Sequence, residues 1–136
     1  PWDSQAADMG FGSGAQKPWL PFTEAYRTLA VSEQDKDPHS LLNFYRGLLA
    51  WRKGQPVLLQ GDQTLLPVHA QVMAFVREHE GKKVLCAFNF SDSAATLNLP
   101  AEFQSASVLP IPGWGGGTVS GDSMQLETYG AMLLAL

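Results

Sequence analysis

The chain has 136 residues, 45% of them hydrophobic and 16% charged, and a formal net charge of −4. That length holds one domain with at most an appendage, and the composition is that of a folded chain, not a disordered one. The acidic balance and the scattered Lys and Arg give no footing for a nucleic-acid or anionic-membrane partner.

Residues 1–36 show no sustained periodicity. Gly10, Gly12, Gly14, Pro18 and Pro21 interrupt any regular element there, and Trp2, Phe11, Trp19 and Phe22 lie between them. A long loop this rich in aromatic residues is expected to be functional or pinned against another surface.

A helix is expected over residues 38–53. Asp37 serves as N-cap and Pro38 as first helical residue, where its missing N–H costs nothing. Leu41, Leu42, Tyr45, Leu48, Leu49 and Arg52 recur at helical spacing, and Arg46, Arg52 and Lys53 lie toward the negative end of the helix dipole. Gly54 and Pro56 stop the helix. Phe44 and Trp51 fall off the main stripe, so this helix is expected to contact more than one surface.

Beyond Gln55 the chain reads as short strands: Thr64–Pro67, Val72–His79, Lys83–Phe90, Ala95–Leu99, Ala106–Leu109, Met124–Glu127 and Ala131–Leu136. Turns are expected at Gly61-Asp62, Glu80-Gly81-Lys82, Ser91-Asp92-Ser93 and Pro110–Gly117. Inward residues alternate at Ala95, Leu97 and Leu99, and again at Met132, Leu134 and Leu136. Strands and turns at this spacing imply an antiparallel β-sandwich of Greek-key type, and the fold class is mainly β. Within Lys83–Phe90 the alternation fails. Val84, Cys86, Phe88 and Phe90 share one face while Leu85 and Ala87 fill the other, so this strand is expected to be central and covered on both sides.

Several motifs have bland explanations. Gly113-Trp-Gly-Gly-Gly117 lacks the Lys-Ser/Thr ending and the following helix of a phosphate loop, so it reads as a flexible loop. His39, His69 and His79 lack zinc-ligand spacing and are expected to be solvated. Asp35 and Asp37 lack the glycine of a calcium loop, and Pro38 blocks one. Neither a metal nor a cofactor is implied. Asn89-Phe-Ser91 matches a glycosylation sequon but sits at a strand end beside buried residues. The single cysteine, Cys86, excludes an internal disulfide, fits a reducing compartment and reads as a small core residue. No apolar run approaches the ~20 residues that span a bilayer, and no signal peptide or initiator Met is present.

Four motifs in order carry a resemblance: Pro1-Trp2-Asp3, Gly10-Phe11-Gly12, Lys17–Pro21 (Lys-Pro-Trp-Leu-Pro), and Lys36–Arg46 with its Asp-Pro-His-Ser-Leu-Leu-Asn-Phe-Tyr-Arg. The set resembles the C-terminal part of a family 13 glycoside hydrolase of the α-glucosidase/oligo-1,6-glucosidase type, in the α-amylase superfamily. The match is strong over residues 1–53 and looser beyond. The closing Leu126–Leu136 resembles the family's L-x-P-Y-E-A strand, with Thr128 in place of the Pro and Gly130 in place of the Glu.

The resemblance implies an organisation. Residues 1–54 would be the end of a (β/α)8 barrel, namely the loop after its last strand and its last helix. Residues 55–136 would be the C-terminal sandwich. Trp2, Asp3, Phe11 and Trp19 would lie on a loop at the sugar pocket, the aromatics stacking on sugar or wedging the loop in place. The nucleophile, the acid/base and the second Asp of a retaining mechanism would lie upstream of Pro1. Asp62, Glu78, Glu80, Asp92, Glu102, Asp122 and Glu127 show no catalytic pair.

The expected parent is a retaining α-glucosidase acting on short α-glucosides in the cytoplasm, with the periplasm left open. Its partners would be its own barrel and an oligosaccharide, with no nucleic acid and no membrane. The 136 residues are expected to be a fragment without turnover, exposing an apolar patch where the barrel would lie. Trehalose synthases and sucrose-acting relatives share the loop. A non-catalytic glycan-binding sandwich, resting on Trp114, and a catalytically dead transporter partner are the competing classes.

Overall fold

The alternation beyond Gln55 becomes an antiparallel β-sandwich. A computed structural model describes residues 1–13, 19–67 and 70–136 and divides the chain into two units, Pro1–Leu49 and Ala50–Leu136. Three helices are described: Val31–Gln34 (α1), Leu41–Lys53 (α2) and Pro56–Gln60 (α3). The strands are Asp62–Leu65 (β1), Val72–His79 (β2), Lys82–Asn89 (β3), Ala95–Asn98 (β4), Ser107–Val108 (β5), Gly117–Ser120 (β6), Ser123–Leu126 (β7) and Ala131–Ala135 (β8). They form a sheet in the order β1-β2-β3-β8-β5 and a second in the order β4-β7-β6. The chain crosses between sheets from β3 to β4, β4 to β5, β5 to β6 and β7 to β8, and all pairings are antiparallel.

The core lies between the sheets. Val72, Ala74, Val76, Leu85, Ala87, Met132 and Leu134 from the larger sheet meet Ala95, Leu97, Met124 and Leu126 from the smaller. Leu99 and Phe103 complete the cluster. Burial of these apolar side chains is the main drive to fold this unit. β3 is central as expected, with Val84, Leu85, Cys86 and Ala87 all buried. α3 packs against β2 and β3. Phe90, expected on the buried face, lies beyond the end of β3 and is exposed. β8 departs from the expected alternation: Ala131 and Leu133 are buried along with Met132 and Leu134, on a side where Ile111 and Trp114 also lie, while Leu136 is exposed.

The β2–β3 hairpin turns on two residues, Glu80 and Gly81, with φ of +50° and +78°. Positive φ at both positions is what a type I′ turn requires, and its twist matches the flanking strands. Strand β6 begins on Gly117, the last residue of the expected Pro110–Gly117 turn. Gly117 pairs with Leu126, and a Cβ there would lie 2.5 Å from Met132 Sδ and from Gln125 O. The glycine run is thus a place of close backbone approach, and it leads into a strand.

The sequon residue Asn89 is 3% exposed, and its amide is fully engaged. Nδ2 donates to Ser93 O at 2.7 Å and Glu127 O at 2.8 Å, while Oδ1 accepts from Ser91 N and Ser91 Oγ. This side chain ties the end of β3 to the β7–β8 connection and has no free amide to modify. Asn89→Ala removes all four of these hydrogen bonds and leaves Ser91 N–H without its acceptor, so we expect it to lower the urea midpoint by the equivalent of about 2 kcal/mol. A midpoint equal to the parent's would mean that water replaces the amide without loss.

Cys86 lies opposite Phe75 and Leu133 on the neighbouring strands. Burial pushes its thiol up to about 12, with Arg77 opposing weakly. We expect no reaction with a thiol-specific disulfide reagent at pH 8 in the folded state and stoichiometric reaction after denaturation. Rapid native-state labelling would show that this strand opens.

Candidate functional site

The expected pocket loop occupies the start of the first unit. Met9 and Gly10 both take positive φ, +55° and +76°, and reverse the chain. Trp2 N and Asp3 N then both donate to Met9 O, at 2.8 and 3.1 Å. On the other side, Val31 N donates to Pro1 O at 3.1 Å and Ser32 N to Trp2 O at 2.9 Å. The backbone of Trp2 is therefore held from both sides, with Met9 and Ala30 fully buried nearby in the same unit.

Side-chain contacts tighten this frame. Ser4 is 4% exposed. Its N–H donates to Ser32 Oγ at 3.0 Å and its hydroxyl to Glu33 Oε1 at 2.6 Å. Arg27 donates through Nη1 to Ser4 O and Ala6 O, while its Nε pairs with Glu24 at 2.7 Å. The hydroxyl of Ser4, and then Lys36 at 3.0 Å, hold the Glu33 carboxyl below its ordinary value of 4.5. A lowered carboxyl contributes stability that is present above pH 4.5 and lost as pH falls through its folded value, so this contact weakens in acid.

The four residues expected on the pocket loop meet different fates. Trp2 and Asp3 project from the fixed segment and are exposed, with Asp3 Oδ1 accepting from Gln5 N at 2.8 Å. Phe11 stacks on Phe22, ring centroids 5.5 Å apart and planes 13° apart. Trp19 is 92% exposed. Lys17 and Pro18 of the Lys17–Pro21 motif lie outside the described residues. Ser4, Arg27 and Glu33 were not singled out in the sequence.

The Asp37–Arg46 motif also acquires a physical reading. The helix starts at Leu41, not Pro38, and its cap is Ser40, whose Oγ accepts from Asn43 N at 3.2 Å. Asp37 instead accepts from His39 N at 2.8 Å in a turn ahead of the helix. Asn43 Nδ2 donates to Gln34 O and Asp37 O, at 3.0 and 2.9 Å, and Arg46 pairs with Asp35. The polar residues of the motif thus stitch α1 to α2. α2 itself buries no residue, and Leu41, Tyr45 and Leu49 are exposed.

Two depressions mark the sandwich unit. An open groove of about 620 Å³ is lined by Asp62, Glu78, Glu80, Lys83 and Glu102 among others. Asp62 and Glu78 pair across β1 and β2, but both are exposed. Lys83 bonds Glu102 at 2.8 Å and lies 3.8 Å from Glu78, and these carboxylates, Glu102 foremost, raise its pKa. A glycosidase acid needs burial to stay protonated, and these carboxylates are water-facing or matched to a lysine. A smaller cavity of about 200 Å³ lies beside Trp114, whose ring packs tilted against Phe88 at 5.9 Å.

Among the described residues no three of His, Cys, Asp and Glu are grouped to hold a metal, and no helix is long and apolar enough to cross a membrane. His79 is half-buried at the end of β2, and His69 lies outside the described residues.

Comparison with known proteins defines the class. Residues 62–133 match the family model of the maltogenic amylase C-terminal domain, and residues 1–61 match that of the α-amylase catalytic domain. The chain belongs to the α-amylase family of glycoside hydrolases, family 13. It is 35% identical, over 99% of its length, to a probable α-glucosidase of Rhizobium meliloti (strain 1021), of which it covers 23%. It is 41% identical over 80 residues to the trehalose synthase of Thermus thermophilus, covering 57% of this chain and 8% of that protein. The crystal structure of the α-glucosyl transfer enzyme XgtA superposes with a TM-score of 0.85 at 35% identity, covering 99% of this chain and 24% of that one. The chain thus spans about a quarter of the α-glucosidase and of the transfer enzyme.

Proposed function

We propose that this chain is the C-terminal part of a retaining α-glucosidase that hydrolyses short α-glucosides of the maltose and isomaltose type. The observation that carries the reading is the continuous likeness, over 99% of the chain, to a probable α-glucosidase. Residues 1–54 complete the catalytic barrel, and residues 55–136 form the stabilising sandwich. Trp2 and Asp3 border the sugar pocket, and Phe11 and Trp19 shape its loop. The bare apolar side chains of α2 (Leu41, Tyr45 and Leu49) are covered by the barrel. The enzyme works in the cytoplasm.

The chemistry requires a carboxylate nucleophile and a carboxylic acid roughly 5–5.5 Å apart across the scissile bond. Both belong to the barrel outside this chain, so the 136 residues alone do not turn over. We expect the isolated chain to leave nitrophenyl α-glucoside intact and the enzyme containing both parts to hydrolyse it. Release of nitrophenol by the isolated chain would overturn this division of labour.

A trehalose-forming or glucosyl-transferring parent is the second reading, favoured by the 41% identity to trehalose synthase and by the superposition on XgtA. The product formed from maltose separates the two. A glycan-binding sandwich without chemistry has less support, because Trp114 packs against Phe88 and offers one ring edge in place of a platform of several rings.

A further inference from the structure

The geometry points to Arg27 as a positioning residue: with Ser4, Ser32 and Glu33 it forms a latch that fixes Trp2 and Asp3 and thereby sets the affinity for sugar. This rests on the proposal that the Pro1–Phe11 loop borders the pocket. Trp2 and Asp3 are themselves exposed, so their own side chains do little to hold them in place. Their backbone is held by Met9 O and Ser32 N, and the next residue adds the side-chain anchors. Ser4 is buried, and every polar group of its backbone and side chain is engaged: N–H to Ser32 Oγ, hydroxyl to Glu33, carbonyl to Arg27.

Arg27 is the element that a simpler side chain cannot replace. Its Nη1 reaches two loop carbonyls, Ser4 O and Ala6 O, while Nε of the same planar group stays on Glu24. A lysine is a point donor on a flexible stem and cannot hold that geometry. The guanidinium joins the 3-10 turn Glu24–Tyr26 to the loop, and Ser32 and Glu33 of α1 approach Ser4 as well. Glu33 is ionised at neutral pH, and Ser4 and then Lys36 lower its pKa further, so the hydroxyl of Ser4 has a charged acceptor there.

A ligand that meets Trp2 and Asp3 equally in ground and transition states responds to the latch through KM with little change in kcat. The test is maltose hydrolysis by the full-length enzyme. We expect Arg27→Ala to raise KM about tenfold with kcat within about twofold, and Arg27→Lys to raise it about threefold. In a Trp2→Ala background, Arg27→Ala should add less than about twofold, since the contact it positions is already gone. Full activity with an unmoved KM, or the same multiple in both backgrounds, would overturn the latch and leave the enzyme assignment standing. If the alanine variant fails to fold, Arg27→Lys and Glu33→Gln read the same quantity, and an unchanged KM in both overturns the proposal. An unsubstituted enzyme inert toward every α-glucoside would overturn the assignment, and the latch with it.

Discussion

Gly130→Ala is expected to destabilise the sandwich by about 3 kcal/mol, the upper range for forcing an added methyl into a filled space. A Cβ at Gly130 would lie 2.1 Å from Gly116 O and 3.0 Å from the backbone N and O of Glu127. None of these atoms belongs to a side chain that can swing away. The same carbonyl of Gly116 accepts from Glu127 N at 2.8 Å, so moving it breaks the bond that seats the β7–β8 connection on the glycine run. Gly130 O also accepts from Asn89 N, which carries the disturbance to β3. Urea unfolding of the two proteins measures the difference, and equal midpoints would mean that the Gly115–Gly117 segment shifts freely. This close approach explains the glycine at 130, where the closing motif of the family has a larger residue: the chain presents Gly116 at the spot a side chain would occupy.

Phe103→Ala is expected to cost about 4 kcal/mol, within the range for emptying a fully buried aromatic site. Phe103 ends the 3-10 turn Ala101–Phe103, has no exposed surface, and belongs to the cluster that includes Leu85, Leu97, Leu99, Met124 and Leu126. Its ring fills a site inside that cluster, and removing it leaves a void among these side chains. Domains of this size are stable by roughly 5–15 kcal/mol, so the loss is a large share. Calorimetry should show a lower melting temperature, and a drop equivalent to less than about 1 kcal/mol would indicate that the turn repacks.

These two positions show where the sequence was legible and where it was not. Regular alternation made the core of β4 readable, and its failure made β3 readable as a covered central strand. Gly117 concealed the start of β6, because the reason for a glycine there is the Met132 side chain, which comes from another part of the chain. Pro56 was read as a stop and is also the first residue of α3, since a proline that cannot continue one helix is well suited to begin another. Asp37 and Ser40 are both good caps. The choice between them fell to Ser40, whose hydroxyl reaches Asn43 N, while Asp37 closes a turn on His39.

The candidate site divides the same way. Trp2 and Asp3 stood out because a motif of adjacent residues names them. Ser4, Arg27 and Glu33 did not, because their bonds join positions 23 to 29 apart, and no period or spacing records such a contact.

The most direct test is the anomer of glucose first released from nitrophenyl α-glucoside by the full-length enzyme, followed by proton NMR before mutarotation, since all of that glucose comes from the glycosyl unit. A retaining α-glucosidase passes through two displacements, and the account predicts free α-glucose as the first product. First release of β-glucose, or no release of free glucose, would contradict it.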